Sequence, residues 1–284
     1  MHTRATKKRP VSKRLRLRMD RLKRRFAGRF GALPQNKKWV FIISCTNSGS
    51  TVLHELLAAH PDIASMRFEG QHYQDQLPLP TEDDAQRLWA LTPKYRLDEN
   101  SKANIDVNRI KRQWSHFMNY PTRGFYLEKS PPNAVRTRWL QKHFPQAYFI
   151  ALVRNGYAVA EGIARRTGVG LEAAARQWNT CLDVMLDDFT HLERKILIRY
   201  EDLIESPDAV IARVLTFLGT GDKVTSVRER EYRIHGQVQA VSRQMNERSI
   251  GSLSEVDLAL IEDIAERNLR RFGYLAQRAE VAVG

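Results

Sequence analysis

The eight residues Ser44-Cys-Thr-Asn-Ser-Gly49-Ser50-Thr51 keep the spacing of a phosphate-binding G-x-x-x-x-G-K-[ST] loop, with Ser44 replacing the first glycine and Ser50 replacing the lysine. A nucleoside triphosphatase places that lysine on its β- and γ-phosphates, so its loss argues against ATP or GTP hydrolysis. What remains is a nest of hydroxyls and backbone N–H groups ahead of a helical pattern, and such a helix start binds an anion. A second anion grip is offered by Arg154, at the end of the apolar run Ala147–Val153, with Arg165 and Arg166 on the next helix. A guanidinium at the carboxyl end of a parallel strand faces the crevice where such sheets take ligands, and its fork matches paired phosphate oxygens. Each feature also has a plain structural alternative: a tight turn of small residues at Gly49, and a surface ion pair at Arg154.

Both grips require strands that end beneath them. Trp39–Ser44 is a short β-branched and aromatic run, and Val52, Leu53, Leu56 and Leu57 continue it at helical spacing until His60-Pro61. The alternation resumes with strands at Gly124–Leu127, Ala147–Val153 and Lys195–Arg199. Helices are expected at 106–119, 133–143, 157–166, 171–192 and 207–218. Ser254-x-x-Asp257 has the form of a capping box opening a last helix to Arg271, which Gly273 ends. This pattern predicts an α/β fold: a P-loop-like parallel sheet with helices on both faces. Residues 61–105 are polar, with Pro78, Pro80 and Pro93, and read as a long excursion of the kind that carries substrate contacts. The stretch 219–252 reads as irregular, and Trp89, Trp114 and Trp139 as packing residues.

The chain has 284 residues and a formal net charge of +14, and the charge is concentrated at one end. Residues 1–38 hold 15 Lys/Arg against the single acid Asp20, while the remaining 31 basic and 31 acidic residues cancel. That divides the chain into a basic, helical N-terminal extension (1–38) and a near-neutral domain (39–284). Val11, Leu15, Met19, Leu22, Phe26 and Phe30 fall on one stripe of a helix otherwise coated in Arg and Lys. Such a helix suits an anionic membrane surface, with nucleic acid as the second reading and a solvated, partly helical extension as the plain alternative. The extension lacks the apolar core of a secretory signal, and no apolar run reaches the roughly 18 residues of a membrane span. Cys45 and Cys181 form no disulfide framework, so the expected location is cytoplasmic, peripheral to the membrane through the extension. No His/Cys/Asp/Glu cluster has metal-ligand spacing.

Taken together, the motifs resemble the sulfotransferase superfamily, and most of all its tyrosylprotein-sulfotransferase-type branch. The family's P-R-S-G-T-T-L-L loop is matched by Thr46-Asn-Ser-Gly-Ser-Thr-Val-Leu53, followed by Ala59-His-Pro-Asp62. Its N-K-D-P segment is matched by Glu128-Lys129-Ser130-Pro131, and its V-R-D-G motif by Val153-Arg154-Asn155-Gly156. Trp178-Asn179, Tyr200-Glu201-Asp202-Leu203 and Phe272-Gly273-Tyr274 come next in order, so the likeness spans about residues 39–275.

The resemblance implies transfer of a sulfuryl group from 3′-phosphoadenosine 5′-phosphosulfate (PAPS) to an acceptor hydroxyl, leaving 3′,5′-ADP. The acceptor would be a peptide tyrosine, glycan, lipid or small alcohol. It implies that Asn47, Ser48, Gly49, Ser50 and Thr51 hold the 5′-phosphosulfate, and that Arg154, with Arg166 and Tyr200, holds the 3′-phosphate; Arg248 and Ser249 are further candidates there. Lys129 would stabilise charge on the transferring group and Glu69 would be the base, with His72 as its rival. Two departures stand out. The loop arginine is Asn47, which removes a cation from the reaction centre, and a serine eight residues beyond the 3′-phosphate arginine is Gly162. Arg67, Lys129 and Arg165 are the cations that could make up the deficit. Two other readings stay open: a non-catalytic nucleotide-binding protein on the same fold, and an ATP-dependent P-loop kinase. No specific nucleic acid partner is expected, and oligomeric state is not encoded legibly.

Overall fold

The computed structural model describes residues 13–82, 85, 87–221, 232–234, 237–239 and 244–275. In chain order the elements are α1 (Lys13–Phe30), β1 (Lys38–Ser44), α2 (Ser50–Ala58), β2 (Ile63–Ser65), α3 (Val107–Phe117), β3 (Phe125–Lys129), α4 (Thr137–His143), β4 (Tyr148–Val153), α5 (Gly156–Thr167), α6 (Leu171–Thr190), β5 (Lys195–Arg199), α7 (Tyr200–Glu205), α8 (Pro207–Leu218), the hairpin strands β6 (Tyr232–Ile234) and β7 (Gln237–Gln239), α9 (Gln244–Gly251) and α10 (Glu255–Arg271). Strands β1 to β5 form one parallel sheet in the order β2-β3-β1-β4-β5.

The central strand explains why both faces are covered. Successive side chains of a strand point to opposite faces, and β1 is apolar on each. Trp39, Phe41 and Ile43 join a core built with α3, α4, α5, α6 and α10, while Val40 and Ile42 join a second core under α2 and α8. Trp89, Trp114 and Trp139 are all buried in the first core, as their packing role requires. The capping box at Ser254 and Asp257 is formed in full.

The structure departs from the sequence reading in several places, among them the helix α7 at Tyr200–Glu205, which the reading did not include. The excursion 61–105 contains β2, which adds an edge strand. Strand β3 begins and ends later than expected, so Lys129 is its last residue. The stretch 219–252 is not wholly irregular, because it holds the β6–β7 hairpin and α9. Residues 133–143 are a short 3-10 turn (Pro131–Val135) followed by α4 rather than one helix.

The chain leaves β1 through α2 on one face and leaves β4 through α5 on the other. Adjacent parallel strands whose connections part in this way open a crevice at their carboxyl ends. Ser44, at the end of β1, is paired in register with Leu152 of β4. The two candidate anion grips therefore flank the topological switch point.

Candidate functional site

At the end of β1 the backbone turns through two left-handed residues, Asn47 (φ 62°) and Gly49 (φ 87°), and Gly49 caps α2. Asparagine tolerates this region better than most residues, and glycine adopts it freely. Gly49 has a second constraint. A Cβ built there would overlap Cδ2 and Cε2 of Tyr200, whose ring lies against the turn. The hydroxyl of Ser48 and Nδ2 of Asn47 are buried within this loop without a protein partner, which is the state expected of donors meant for a ligand.

Arg154, the first residue beyond β4, points across the switch point to this turn. Its Nη1 donates to the Asn47 carbonyl at 2.8 Å, its Nε donates to Asn246 Oδ1 at 2.8 Å, and the guanidinium lies 4.5 Å from the centroid of the Tyr200 ring. Behind it, motifs distant in sequence converge. Trp178 Nε1 donates to the Arg154 carbonyl (3.2 Å), and Gly156 makes room for the same indole. Glu201 accepts from Asn155 N (3.0 Å), Asn246 Nδ2 (2.8 Å) and the Tyr274 hydroxyl (3.0 Å). This carboxylate ties the turn after β4 to α7, α9 and the C-terminal Tyr274.

The third component is the end of β3. Lys129, almost fully buried, places Nζ 2.9 Å from Glu69 Oε1 and 3.3 Å from Thr51 Oγ1. Glu69 also accepts from Gln71 Nε2 and lies 3.9 Å from His72 Nε2. Burial alone would lift the Glu69 carboxyl, but the Lys129 ammonium and the Gln71 amide together hold it below its ordinary value. Burial lowers His72 likewise, against the pull of Glu69. The turn carrying Glu69 is pinned to β3 from beneath: Gly70 N donates to Glu128 Oε1 (3.1 Å) and Gln71 N to Ser130 Oγ (2.8 Å). Glu128 is fully buried, accepts also from Ser130 Oγ and Asn133 Nδ2, and is pushed up to about 7 by burial.

The Gly49 turn, Glu69, Arg154 and Tyr200 line one cleft of about 560 Å³, which Arg165, Arg166 and Ser249 also reach, while Lys129 stands behind it on the lining residues Glu69 and Thr51. Of the cations expected to replace the missing loop arginine, Arg165 is paired with Glu161 at 2.6 Å and Arg67 lies over the ring of Phe68. The guanidinium that does reach Asn47 belongs to Arg87 of the excursion, whose Nη1 donates to Asn47 Oδ1 at 2.6 Å and to Thr46 Oγ1 at 3.0 Å. The sequence reading missed Arg87 and Asn246. No periodicity marks either one, and the single available signal for Arg87 was the charge deficit at Asn47.

A parallel sheet whose switch point carries a glycine turn bridged by an arginine defines an α/β protein of the P-loop-like class. The profile described as the Sulfotransferase family matches residues 40–223, and the chain belongs to that family. Among curated proteins it is 24% identical over 192 residues to protein-tyrosine sulfotransferase 1 of Danio rerio, covering 63% of this chain and 52% of that protein. It is 23% identical over 263 residues to protein-tyrosine sulfotransferase A of Caenorhabditis elegans, covering 83% and 67%. The chain thus spans between about half and two thirds of the length of these two relatives. Among solved structures, a sulfotransferase of Mycobacterium avium superposes with a TM-score of 0.55 at 13% identity, covering 91% of this chain and 81% of that one. That likeness concerns the fold.

Proposed function

We propose that this chain is a PAPS-dependent sulfotransferase that passes the sulfuryl group to an acceptor hydroxyl and releases 3′,5′-ADP. The observation that carries this reading is Arg154 reaching the Gly49 turn, with Nη1 2.8 Å from the Asn47 carbonyl. It supports two phosphate grips on one cleft, one built on the Gly49 turn for the 5′ end of a nucleotide and one at Arg154 for the 3′ end. PAPS supplies an activated sulfuryl group on a phosphate leaving group.

The protein's part is positioning and electrostatics, as in phosphoryl transfer. Ser48, Ser50, Thr51 and the backbone of the turn hold the 5′ end. Arg154, steadied by Tyr200 and Asn246, holds the 3′ end with Arg166. Lys129 stands between Glu69 and Thr51. When its ammonium turns toward charge gathering at the loop, Glu69 loses its strongest partner and becomes a better proton acceptor for the acceptor hydroxyl. In this reading Glu69 is the base, and His72 is its neighbour rather than its replacement. The pair Glu69–Lys129 favours catalysis over mere binding, and the serine in place of the loop lysine disfavours an ATP-dependent kinase.

The decisive measurement is transfer of label from PAPS to a panel of hydroxyl acceptors, a tyrosine peptide among them. The expected result is transfer to at least one of them. Saturating 3′,5′-ADP at about 100 times its Kd should add about 2.7 kcal/mol of stability and ATP should add little. Failure of PAPS and 3′,5′-ADP to bind would sink the reading.

The N-terminal extension supports a second element of function, attachment to an anionic membrane. Helix α1 is held by its backbone: Gln113 Nε2 donates to the Arg24 carbonyl (2.9 Å) and Arg112 Nε to the Gly28 carbonyl (2.9 Å), with Ala27 and Gly28 buried at the contact. Met19, Leu22, Phe26 and Phe30 face outward, 45–64% exposed. Val11 lies outside the described residues. An exposed apolar ridge flanked by arginines seats itself at a lipid interface through burial of its rings and about 1 kcal/mol per basic residue. No described helix is long and apolar enough to cross a membrane, and the attachment proposed is peripheral, through the exposed ridge of α1. The cytoplasmic location expected from the cysteines belongs to the same reading, with Cys45 and Cys181 both free and buried. Flotation with phosphatidylserine-containing vesicles should retain the wild type and release Phe26→Ser/Phe30→Ser. Equal retention of both would remove the helix from this role.

A further inference from the structure

Asn47 leaves the phosphate loop without a cation of its own, and the fold brings one from 40 residues downstream. Arg87 lies on the excursion that crosses the sheet. Its Nη1 donates to two uncharged oxygens, Asn47 Oδ1 (2.6 Å) and Thr46 Oγ1 (3.0 Å), so neither contact neutralises it. It lines the same cleft as Ser50, Thr51, Glu69 and Arg166. The guanidinium therefore stands at the loop, on the cleft that Glu69, Arg154 and Arg166 also line.

Its position is built rather than incidental. Two residues on, Trp89 is buried in the core, and Ala90 N donates to Gln177 Oε1 at 2.9 Å, which anchors the excursion to α6. On the other side of Asn47 stands Gly162, where a Cβ would come within 3.2 Å of Asn47 Nδ2. That amide nitrogen is buried and has no protein partner. The two departures noted in the sequence, Asn47 and Gly162, are thus neighbours in one arrangement. A short amide replaces a long cation, a glycine gives the amide room, and the amide oxygen holds an arginine delivered from a different segment.

We propose that Arg87 is the cation of the phosphate loop in this chain, performing at the 5′-phosphosulfate the anion-binding role that Asn47 cannot perform. This rests on the reading that the cleft binds PAPS. Arg87, Asn47 and Gly162 act as one unit. The excursion therefore contributes to the donor site as well as bordering the acceptor side.

The test begins with calorimetric titration of PAPS into the wild-type chain. Arg87→Gln keeps a polar side chain beside Asn47 and removes the charge. It should weaken PAPS binding or lower kcat/KM by about 10²–10³-fold, the loss typical of one preorganised donor at developing charge. Thermal unfolding without ligand should stay at the wild-type midpoint, which separates lost binding from lost fold. Returning the cation to the loop in Arg87→Gln/Asn47→Arg should recover at least about tenfold of that loss, even though arginine is less at ease at φ 62°. PAPS binding by Arg87→Gln at the wild-type affinity, with wild-type turnover, would overturn the assignment while leaving the sulfotransferase reading intact. Absence of PAPS binding by the wild type would overturn both.

Discussion

Glu69→Gln lowers the rate of sulfuryl transfer by about 10²–10⁴-fold, the usual worth of a positioned general base, with PAPS binding nearly unchanged. The amide is close to isosteric with the carboxylate, so the turn pinned by Gly70 N on Glu128 and Gln71 N on Ser130 stays in place. The pH profile separates this from a structural effect. Glu69 is held below its ordinary value of 4.5 by Lys129 and Gln71. Wild-type kcat/KM should therefore stay level through the neutral and weakly acidic range, and fall only as pH drops through that depressed value. Lys129→Ala removes the largest lowering influence and leaves burial, which raises the carboxyl. Its smaller activity should accordingly be lost at higher pH than in the wild type. If His72 were the base, the acid limb would track an imidazole, below 6.5 because burial lowers it, and Glu69→Gln would leave that limb unchanged. Wild-type transfer rates in Glu69→Gln would remove this residue from the chemistry.

The parts of the fold that were legible are those whose residues carry their own signal. Strand β1 is apolar from Trp39 to Ile43 because both its faces are covered, and Arg154 comes directly after β4, so its place at the carboxyl edge came from counting. Strand β2 was not legible, since three residues give no period and its pairing with β3 is set by tertiary context. Helix α1 was legible as an amphipathic helix, but its orientation was not. The contact with α3 uses Ala27, Gly28 and main-chain carbonyls, and Met19, Leu22, Phe26 and Phe30 of the stripe are left outside, a placement that the periodicity alone does not set. Arg87 and Asn246 were invisible for a related reason. Arg87 lies within the excursion and Asn246 on the short helix α9, and each is brought to the site by tertiary anchors, Trp89 and Glu201, rather than by a pattern in its own segment. The converse holds for the motifs around Arg154. Individually loose, those at Val153–Gly156, Trp178-Asn179, Tyr200–Leu203 and Phe272–Tyr274 are close to one another in space through Glu201, Trp178 and Tyr274; shared contacts explain why such separated residue types occur together.

Gly49→Ala should reduce affinity for PAPS and for 3′,5′-ADP by about 10²-fold or more, which corresponds to at least about 3 kcal/mol. Two effects add. Any L-residue at φ 87° is strained by roughly 1–2 kcal/mol. The added methyl also occupies the place of Cδ2 and Cε2 of Tyr200. The ring can move only by leaving its position 4.5 Å from the Arg154 guanidinium, so a change at the 5′ grip disturbs the 3′ grip as well. Tyr200→Phe keeps the ring and should bind nearly as the wild type does, because the hydroxyl's contact with Met245 Sδ is long, at 4.0 Å. Tyr200→Ala removes the ring under Arg154 and should weaken binding alone. Combined with Gly49→Ala it also removes the clash, so the double variant should lose clearly less than the sum of the two single losses, the signature of residues in direct contact. Strict additivity would mean that the two grips are held independently and that the ring between them couples nothing.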